Sequence, residues 1–450
     1  CRMIGETRLL TELTRLAART RADGVSVCAM ARTRRVFRFA YEAVHQALVQ
    51  ETVTVTVKAV QDHRVGVASA DTLERQALDR CARAALDIAR HSPPHKTLPA
   101  LPAGHRVMAS DVKAATVRFS AEASLAALKR LFRIAKGAGA SLAGSLVTGL
   151  DELAVVNSAG TRCYAASTAA GAKLVTMFGK LSGYASGAHR DVGRLDLEGL
   201  LQRSLRQSLH RRDPAPVPLG TYEVILEPEA VGELVTWLGY TAFGAKSVEE
   251  RTSFLAGRMD EQVMDTRITI ADDGNDPGLL RVPFDFEGTP KRKVALIDRG
   301  RAAGIVYDTE YGERFGQPST GHGMPPDEVE GPLPLHLVMA PGRDTVAAMI
   351  RSCKRGLLIP RFHYVNGLLN PREALMTGLT REGTFLIEHG KLSAPVATLR
   401  FTQSVLEAFS RVLGVARERR LIAEPSQELG CALMPALHLA AFRFTGRSEN

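Results

Sequence analysis

Cysteine, tryptophan and long apolar runs are scarce in this chain. Its 450 residues hold six cysteines and one tryptophan. The cysteines, Cys1, Cys28, Cys81, Cys163, Cys353 and Cys431, lie far apart, and none forms a CxxC pair. Such thin spacing is unlike the disulfide frameworks of small secreted domains. The expectation is reduced, mostly buried thiols in a cytoplasmic protein. No apolar run reaches the roughly 18–20 residues of a membrane-spanning helix. The opening Cys1-Arg2-Met3-Ile4-Gly5-Glu6 lacks the apolar core of a signal peptide, so no membrane partner is expected. A start on Cys1 rather than Met suggests a trimmed piece.

What is present is enough apolar material for real cores. Apolar residues make up 45% of the chain, and its length suits two or three domains. The formal net charge of +10 raises the question of a nucleic-acid partner. The arginines are scattered, however, and the densest clusters, Arg32-Thr33-Arg34-Arg35 and His210-Arg211-Arg212, are short. Neither has the interleaved aromatics of a single-strand binding platform. The reading is against specific nucleic-acid binding.

Leu9, Leu10, Leu13 and Leu16 recur at helical spacing and predict a helix over 7–21. Val25 and Val27, then Val53, Val55 and Val57, alternate with polar residues and predict half-buried antiparallel strands. Asp71-Thr72-Leu73-Glu74 has the capping-box pattern and predicts a helix from there to about 91, before Pro93-Pro94. Further helices are expected over 121–136 and 195–209, with strands at 141–147 and 154–157 and a strand-rich stretch over 161–178. Helices on antiparallel sheet make residues 1–211 an α+β domain. Pro214, Pro216 and Pro218 then stiffen a linker over 212–219. Residues 220–450 read as a strand-rich domain of mixed or antiparallel sheet with helices. There a strand over 222–227 leads into a helix that Pro228 opens at its first position. A helix over 401–413 and final strands over 437–444 are also expected.

Several segments of the second half are recognisable together. They are Leu296-Ile297-Asp298-Arg299-Gly300, Ser319-Thr320-Gly321-His322-Gly323, Tyr364-Val365-Asn366-Gly367-Leu368-Leu369-Asn370-Pro371, and the run from Thr377-Gly378-Leu379-Thr380 to His389-Gly390-Lys391. In this order they resemble the TldD/PmbA family of zinc-dependent peptidases and their partner subunits, and Asn157-Ser158-Ala159-Gly160 agrees in the first half. The resemblance implies a helix reading His-Glu-x-x-x-His, whose histidines hold zinc with a distant cysteine and whose Glu acts on the bound water. This chain reads Pro228-Glu229-Ala230-Val231-Gly232-Glu233 there. Both histidines are missing, and Pro228 offers no donor atom. Cys431 precedes the final strands as the family's cysteine ligand does, but lies only four residues before Pro435. The resemblance is therefore to the PmbA (TldE) branch, which lacks the zinc motif. It implies no metal or cofactor in this chain and zinc in a TldD-like partner. It also implies a heterodimer with that partner, or a homodimer, acting on unfolded peptides.

Other residues leave alternatives open. His322 and His363, with Glu229, would make a hidden metal site if folding brought them together. Ser319 and Thr320 near His322 do not form a nucleophile elbow. An open sheet edge would suit an extended peptide, with Arg361, His363, Tyr364 and His322 as lining residues. The rival readings are a stand-alone peptide-binding homodimer and a peptidase with an unrecognised metal site.

Overall fold

A computed structural model describes residues 3–96, 98–210, 213–423 and 430–448. Cys1 and the Arg211-Arg212 part of one basic cluster lie outside these residues. In the first half, helix α1 (Glu6–Arg19) is followed by strands β1 (Gly24–Ala40), β2 (Ala43–Gln61) and β3 (Arg64–Ala70), then helix α2 (Arg75–His91). Strand β4 (Met108–Asp111) and helices α3 (Ala114–Arg118) and α4 (Ala121–Gly137) lead to β5 (Ser141–Asn157), β6 (Arg162–Phe178), β7 (Leu181–His189) and α5 (Leu197–Ser208). The strands form one sheet in the order β3-β2-β1-β5-β6-β4, with β7 also on β6. All pairs are antiparallel except β4 with β6.

Side-chain alternation explains the layering. Val25, Val27 and Ala29 of β1 meet Val55 and Val57 of β2 and the leucines of α1, with α2 in the same cluster. Phe37 and Phe39, further along β1 with the same parity, pack on Leu128 and Leu131 of α4 and Leu201 and Leu205 of α5. One face of the sheet thus carries these helices. The opposite face, with Cys28, Leu153, Val155 and Cys163, meets Phe284 and Phe286 from the second half.

In the second half come β8 (Gly220–Leu226), α6 (Pro228–Ala242), α7 (Ala245–Glu249), β9 (Ile270–Asp272), β10 (Val294–Asp298), β11 (Arg301–Ala302), α8 (Thr309–Arg314), β12 (His336–Met339) and α9 (Val346–Ser352). Next are β13 (Arg355–Ile359), β14 (Arg361–Asn370), β15 (Leu375–Arg381), β16 (Phe385–Glu388), β17 (Lys391–Pro395), β18 (Leu399–Ser404), α10 (Val405–Phe409), β19 (Val412–Ala423) and β20 (Cys431–Arg447). These strands form a second, mixed sheet: β12 runs parallel to β20 and β13 parallel to β8. The chain is α+β. β20 branches the sheet, pairing with β12, β19, β8 and β18 along its length. Helix α6 touches β8, β12, β14, β19 and β20. Its Ala230, Val231, Leu234, Val235 and Leu238 are fully buried, as a helix apolar on most sides requires.

Four expectations change, the first being that the strands expected at 141–147 and 154–157 are one strand, β5. Helix α2 begins at Arg75, and Glu74 sits at its N-cap with no side-chain cap bond. Residues 71–74 are needed to turn the chain out of β3, so Asp71 does not cap. Residues 401–413 are not a helix, because Leu399 and Phe401 are buried in β18 between β15 and β20. Ser404 then caps the short α10 by accepting from the Glu407 N–H. The final strands are one strand, β20. In the proline-rich segment, Ala215 bonds to Pro395 and Ala397, which ties it to the second sheet. No helix among the described residues is long and apolar enough to cross a membrane.

Candidate functional site

The start of α6 is built by a strand-to-helix turn. β8 ends at Leu226, Glu227 is extended at the N-cap, and Pro228 takes the first helical position. Carboxylates are favoured there by the helix dipole. The Arg420 guanidinium of β19 donates to Glu229 Oε2 at 3.0 Å and to Glu227 Oε2 at 3.5 Å. Arg203 of α5 stands 4.0 Å from Glu229 Oε1. Burial pushes the Glu227 carboxyl upward, with Arg420 opposing. Burial would depress Arg420, yet the two glutamates hold it above its ordinary value.

Two residues on from Arg420, Ile422 lies against Gly232, where a Cβ would stand 2.4 Å from Ile422 Cδ1. β19 therefore covers the first turn of α6 with one guanidinium and one aliphatic side chain. Glu233 lies one turn beyond Glu229 and is half-buried. These residues do not fit a zinc ion. Pro228 has no donor, Glu229 faces a permanent cation, and Cys431 belongs to another neighbourhood. The Cys431 thiol is buried, points to the Leu280 carbonyl and is pushed up to about 12, mainly by burial.

That other neighbourhood is a buried polar network around Asp272, at the end of β9. His322 Nε2–H donates to Asp272 Oδ1 at 2.8 Å, and Nδ1 lies 2.9 Å from the Thr320 hydroxyl. Asp272 Oδ2 accepts the His336 N–H at 2.7 Å. Burial opposes the ionised Asp272, but Lys291 and His322 hold it well below the usual carboxylate range. Burial and Lys291 push His322 down, and His336 down to about 3. Among the described residues His336 Nδ1 has no hydrogen-bond partner. Both imidazoles line a cavity of about 90 Å³ between the two sheets, with Lys291, Asp285, Met30 and Cys431. Burial and Glu287 raise Asp285, which accepts N–H groups from Gly323 and Thr289.

The remaining expected residues lie on β14. Arg361 donates to Glu382 Oε2 at 2.6 Å and stacks 4.1 Å over the Tyr184 ring of β7, so it joins the two halves. The His363 ring is 4.1 Å from that of Tyr364. Tyr364 is 77% exposed and left-handed at φ 50°, where the pairing with β15 shifts register. Leu368 and Leu369 are exposed beside it, and among the described residues β14 pairs with β15 alone. Arg361, His363 and Tyr364 thus share one edge strand, whereas His322 is buried in the Asp272 network. Among the described residues His322, His363 and Glu229 share no cluster of ligand atoms.

Sequence reasoning missed Arg420, Asp272 and His336. Arg420 sits in the run Arg417-Glu418-Arg419-Arg420, which reads as part of a scattered charge excess. His336 begins the apolar His336-Leu337-Val338-Met339, where a polar residue on a buried strand was the available signal.

The fold and the family model together place the chain among metallopeptidase-related proteins. The chain belongs to the PmbA/TldD family: residues 219–446 match the model of the PmbA/TldA metallopeptidase C-terminal domain. The fold matches the crystal structure of TldE from Thermococcus kodakarensis with a TM-score of 0.84 at 21% identity, covering 98% of this chain and 99% of that one. A Metalloprotease TldD homolog of Haemophilus influenzae is 28% identical over 226 residues, 49% of this chain and 46% of its own length. A Metalloprotease of Methanothermobacter thermautotrophicus is 23% identical over 249 residues, 54% and 53% of the two lengths. The chain thus spans about half the length of these curated relatives.

Proposed function

We propose that this chain is a non-catalytic, PmbA/TldE-like subunit that pairs with a zinc-bearing TldD-like peptidase in cutting or maturing unfolded peptides in the cytoplasm. Family membership supports a role in proteolysis. The observation that carries the finer reading is the start of α6, where Arg420 is bonded to Glu229 beside Pro228, the residues that the resemblance sets at the histidine positions being Pro228 and Glu233. A guanidinium cannot be deprotonated at neutral pH, so it cannot give way to a metal by losing a proton. On this reading the zinc belongs to the partner, and this chain guides the peptide.

The edge strand β14 suits that task. Main-chain groups of an extended peptide add to an open edge with little sequence preference. Tyr364, Leu368 and Leu369 offer exposed apolar contacts along it. The same edge supports the second reading, a stand-alone peptide-binding homodimer. The test mixes the purified chain with a TldD-like zinc peptidase and follows cleavage of an unfolded peptide. Cleavage is expected only in the mixture, together with a mixed complex on size-exclusion chromatography. Zinc-dependent cleavage by this chain alone would overturn the proposal. Peptide binding with no mixed complex would favour the homodimer.

A further inference from the structure

The opposite face of β8 carries a different cluster. Val224 and Leu226 point toward α6, so Glu223 and Ile225 point the other way, into a second apolar cluster with Met349, Leu358 and Phe385. His438 of β20 lies opposite Ile225 in the register, on the same face as Glu223. Its Nε2–H donates to Glu223 Oε1 at 2.6 Å. Cys353 follows α9 and leads into β13, whose Gly356 is paired with Glu223. The thiol reaches Glu223 because Gly356 has no side chain: a Cβ there would stand 2.6 Å from Cys353 Sγ. One ligand atom from each of Glu223, Cys353 and His438 lies within 4.8 Å of the other two. The Cys353 and His438 side chains are buried and Glu223 is 26% exposed.

We propose that Glu223, Cys353 and His438 form a binding site for a borderline-soft divalent cation, Zn²⁺ by its ligand chemistry. A thiolate, an imidazole nitrogen and a carboxylate oxygen are all zinc donors, and zinc takes them tetrahedrally at about 2.0–2.3 Å. Charge balance favours it. A dication with one thiolate, one carboxylate and a neutral imidazole has no net charge, which an apolar surround requires. Among the described residues Glu223 has no arginine or lysine partner, and its side-chain neighbours are His438 and Cys353.

Binding exchanges protons for metal. The Cys353 S–H bond breaks, its proton leaves to solvent and the sulfur lone pair bonds the cation. His438 releases its Nε2 proton to solvent, takes one from solvent on Nδ1, and bonds the cation through the freed Nε2 lone pair. Separating Nε2 from Oε1 to the edge of such a tetrahedron, about 3.4 Å, is a small side-chain movement. Water takes the fourth position from the exposed side of Glu223. The site stitches β8, β20 and the α9–β13 turn together, away from Glu229. It assigns a metal to a chain for which the family resemblance implies none, and it does not depend on the subunit reading.

The test uses the full chain alone, stripped with a chelator and titrated with Co²⁺ and then Zn²⁺. The expected result is one metal per chain and an intense sulfur-to-cobalt charge-transfer band that Zn²⁺ abolishes. Cys353→Ser should remove the band, and His438→Gln should weaken Zn²⁺ binding at least tenfold, while Cys431→Ser should leave both unchanged. Circular dichroism and melting of each stripped variant separate lost binding from lost folding. If a variant fails to fold, the band in the wild type and its persistence in Cys431→Ser still decide the question. No band in the wild type, or a band that disappears with Cys431→Ser, would overturn the proposal.

Discussion

Two acidic groups lie within seven residues of one another on opposite faces of the same strand–helix unit, and they are neutralised in opposite ways. At the start of α6, Glu227 and Glu229 face Arg420 and Arg203. On the far face of β8, Glu223 faces His438 and Cys353. The first balance is fixed, because guanidinium keeps its proton at any ordinary pH. The second rests on an imidazole and a thiol, both able to give up protons. The lesson is that a carboxylate is closed to a metal when a permanent cation is laid over it, as β19 lays Arg420 over Glu229.

The largest expected effect breaks the fixed balance. Arg420→Ala leaves two largely buried carboxylates facing only Arg203. Breaking a buried pair by removing one partner costs about 3 kcal/mol at the low end of its range, and the 29% exposure of the Arg420 side chain favours that end. Urea denaturation should show that loss. Adding Glu227→Gln and Glu229→Gln should restore most of it. A single variant as stable as the parent would mean that the arginine is incidental and that the contrast with Glu223 has no energetic content.

The Asp272 network tests the titratable kind of balance where no metal is invoked. His336 falls to about 3 in the folded chain, by burial first and Lys291 next, against about 6.5 when unfolded. Between these values the unfolded chain binds a proton that the folded chain does not. Stability is therefore full above about pH 6.5 and falls as pH drops toward about 3. At pH 5 the loss is about 2 kcal/mol. Asp272 works in a lower window, since its depressed carboxyl adds stability that declines below its unfolded value of about 3.8 and is gone once acid passes its folded value. His336→Leu should flatten the profile between pH 7 and 5, whereas Arg420→Ala should leave the His336 contribution in place. Urea midpoints at the two pH values measure both.

Much of this was legible from local pattern. The leucine spacing of α1, the alternating valines of β2 and Pro228 at the first helical position all describe short-range physics, and the structure follows them. The family motifs were legible by order. The contacts that decide the chemistry were not, because Arg420 reaches Glu229 across 191 residues and no local period records such a pairing. Residues 401–413 misled for a related reason. Phe401, Val405 and Phe409 are apolar at a spacing that a helix accepts, but β15 and β20 flank Phe401 and the sheet prevails there. Asp71 had capping chemistry, yet the turn out of β3 used the residues that the cap needed.

The smallest expected effect on stability separates fold from function most cleanly, because the molecule carries its own control. Tyr41, at the β1–β2 turn, is 75% exposed at φ 50°, and Tyr364, on β14, is 77% exposed at φ 50°. A left-handed residue with a Cβ is strained by about 1 kcal/mol, which glycine relieves. For Tyr364, loss of the ring contact with His363 offsets part of that gain. Tyr41→Gly and Tyr364→Gly should therefore each change stability by less than about 1 kcal/mol. Their effects on binding should diverge. If β14 receives an extended peptide, Tyr364→Gly removes an exposed aromatic anchor and weakens binding by about five- to tenfold, while Tyr41→Gly leaves it unchanged. Fluorescence anisotropy with a labelled unfolded peptide reads the difference. Equal affinities for the two variants would move the peptide path off β14, even with the fixed balance at Glu229 intact.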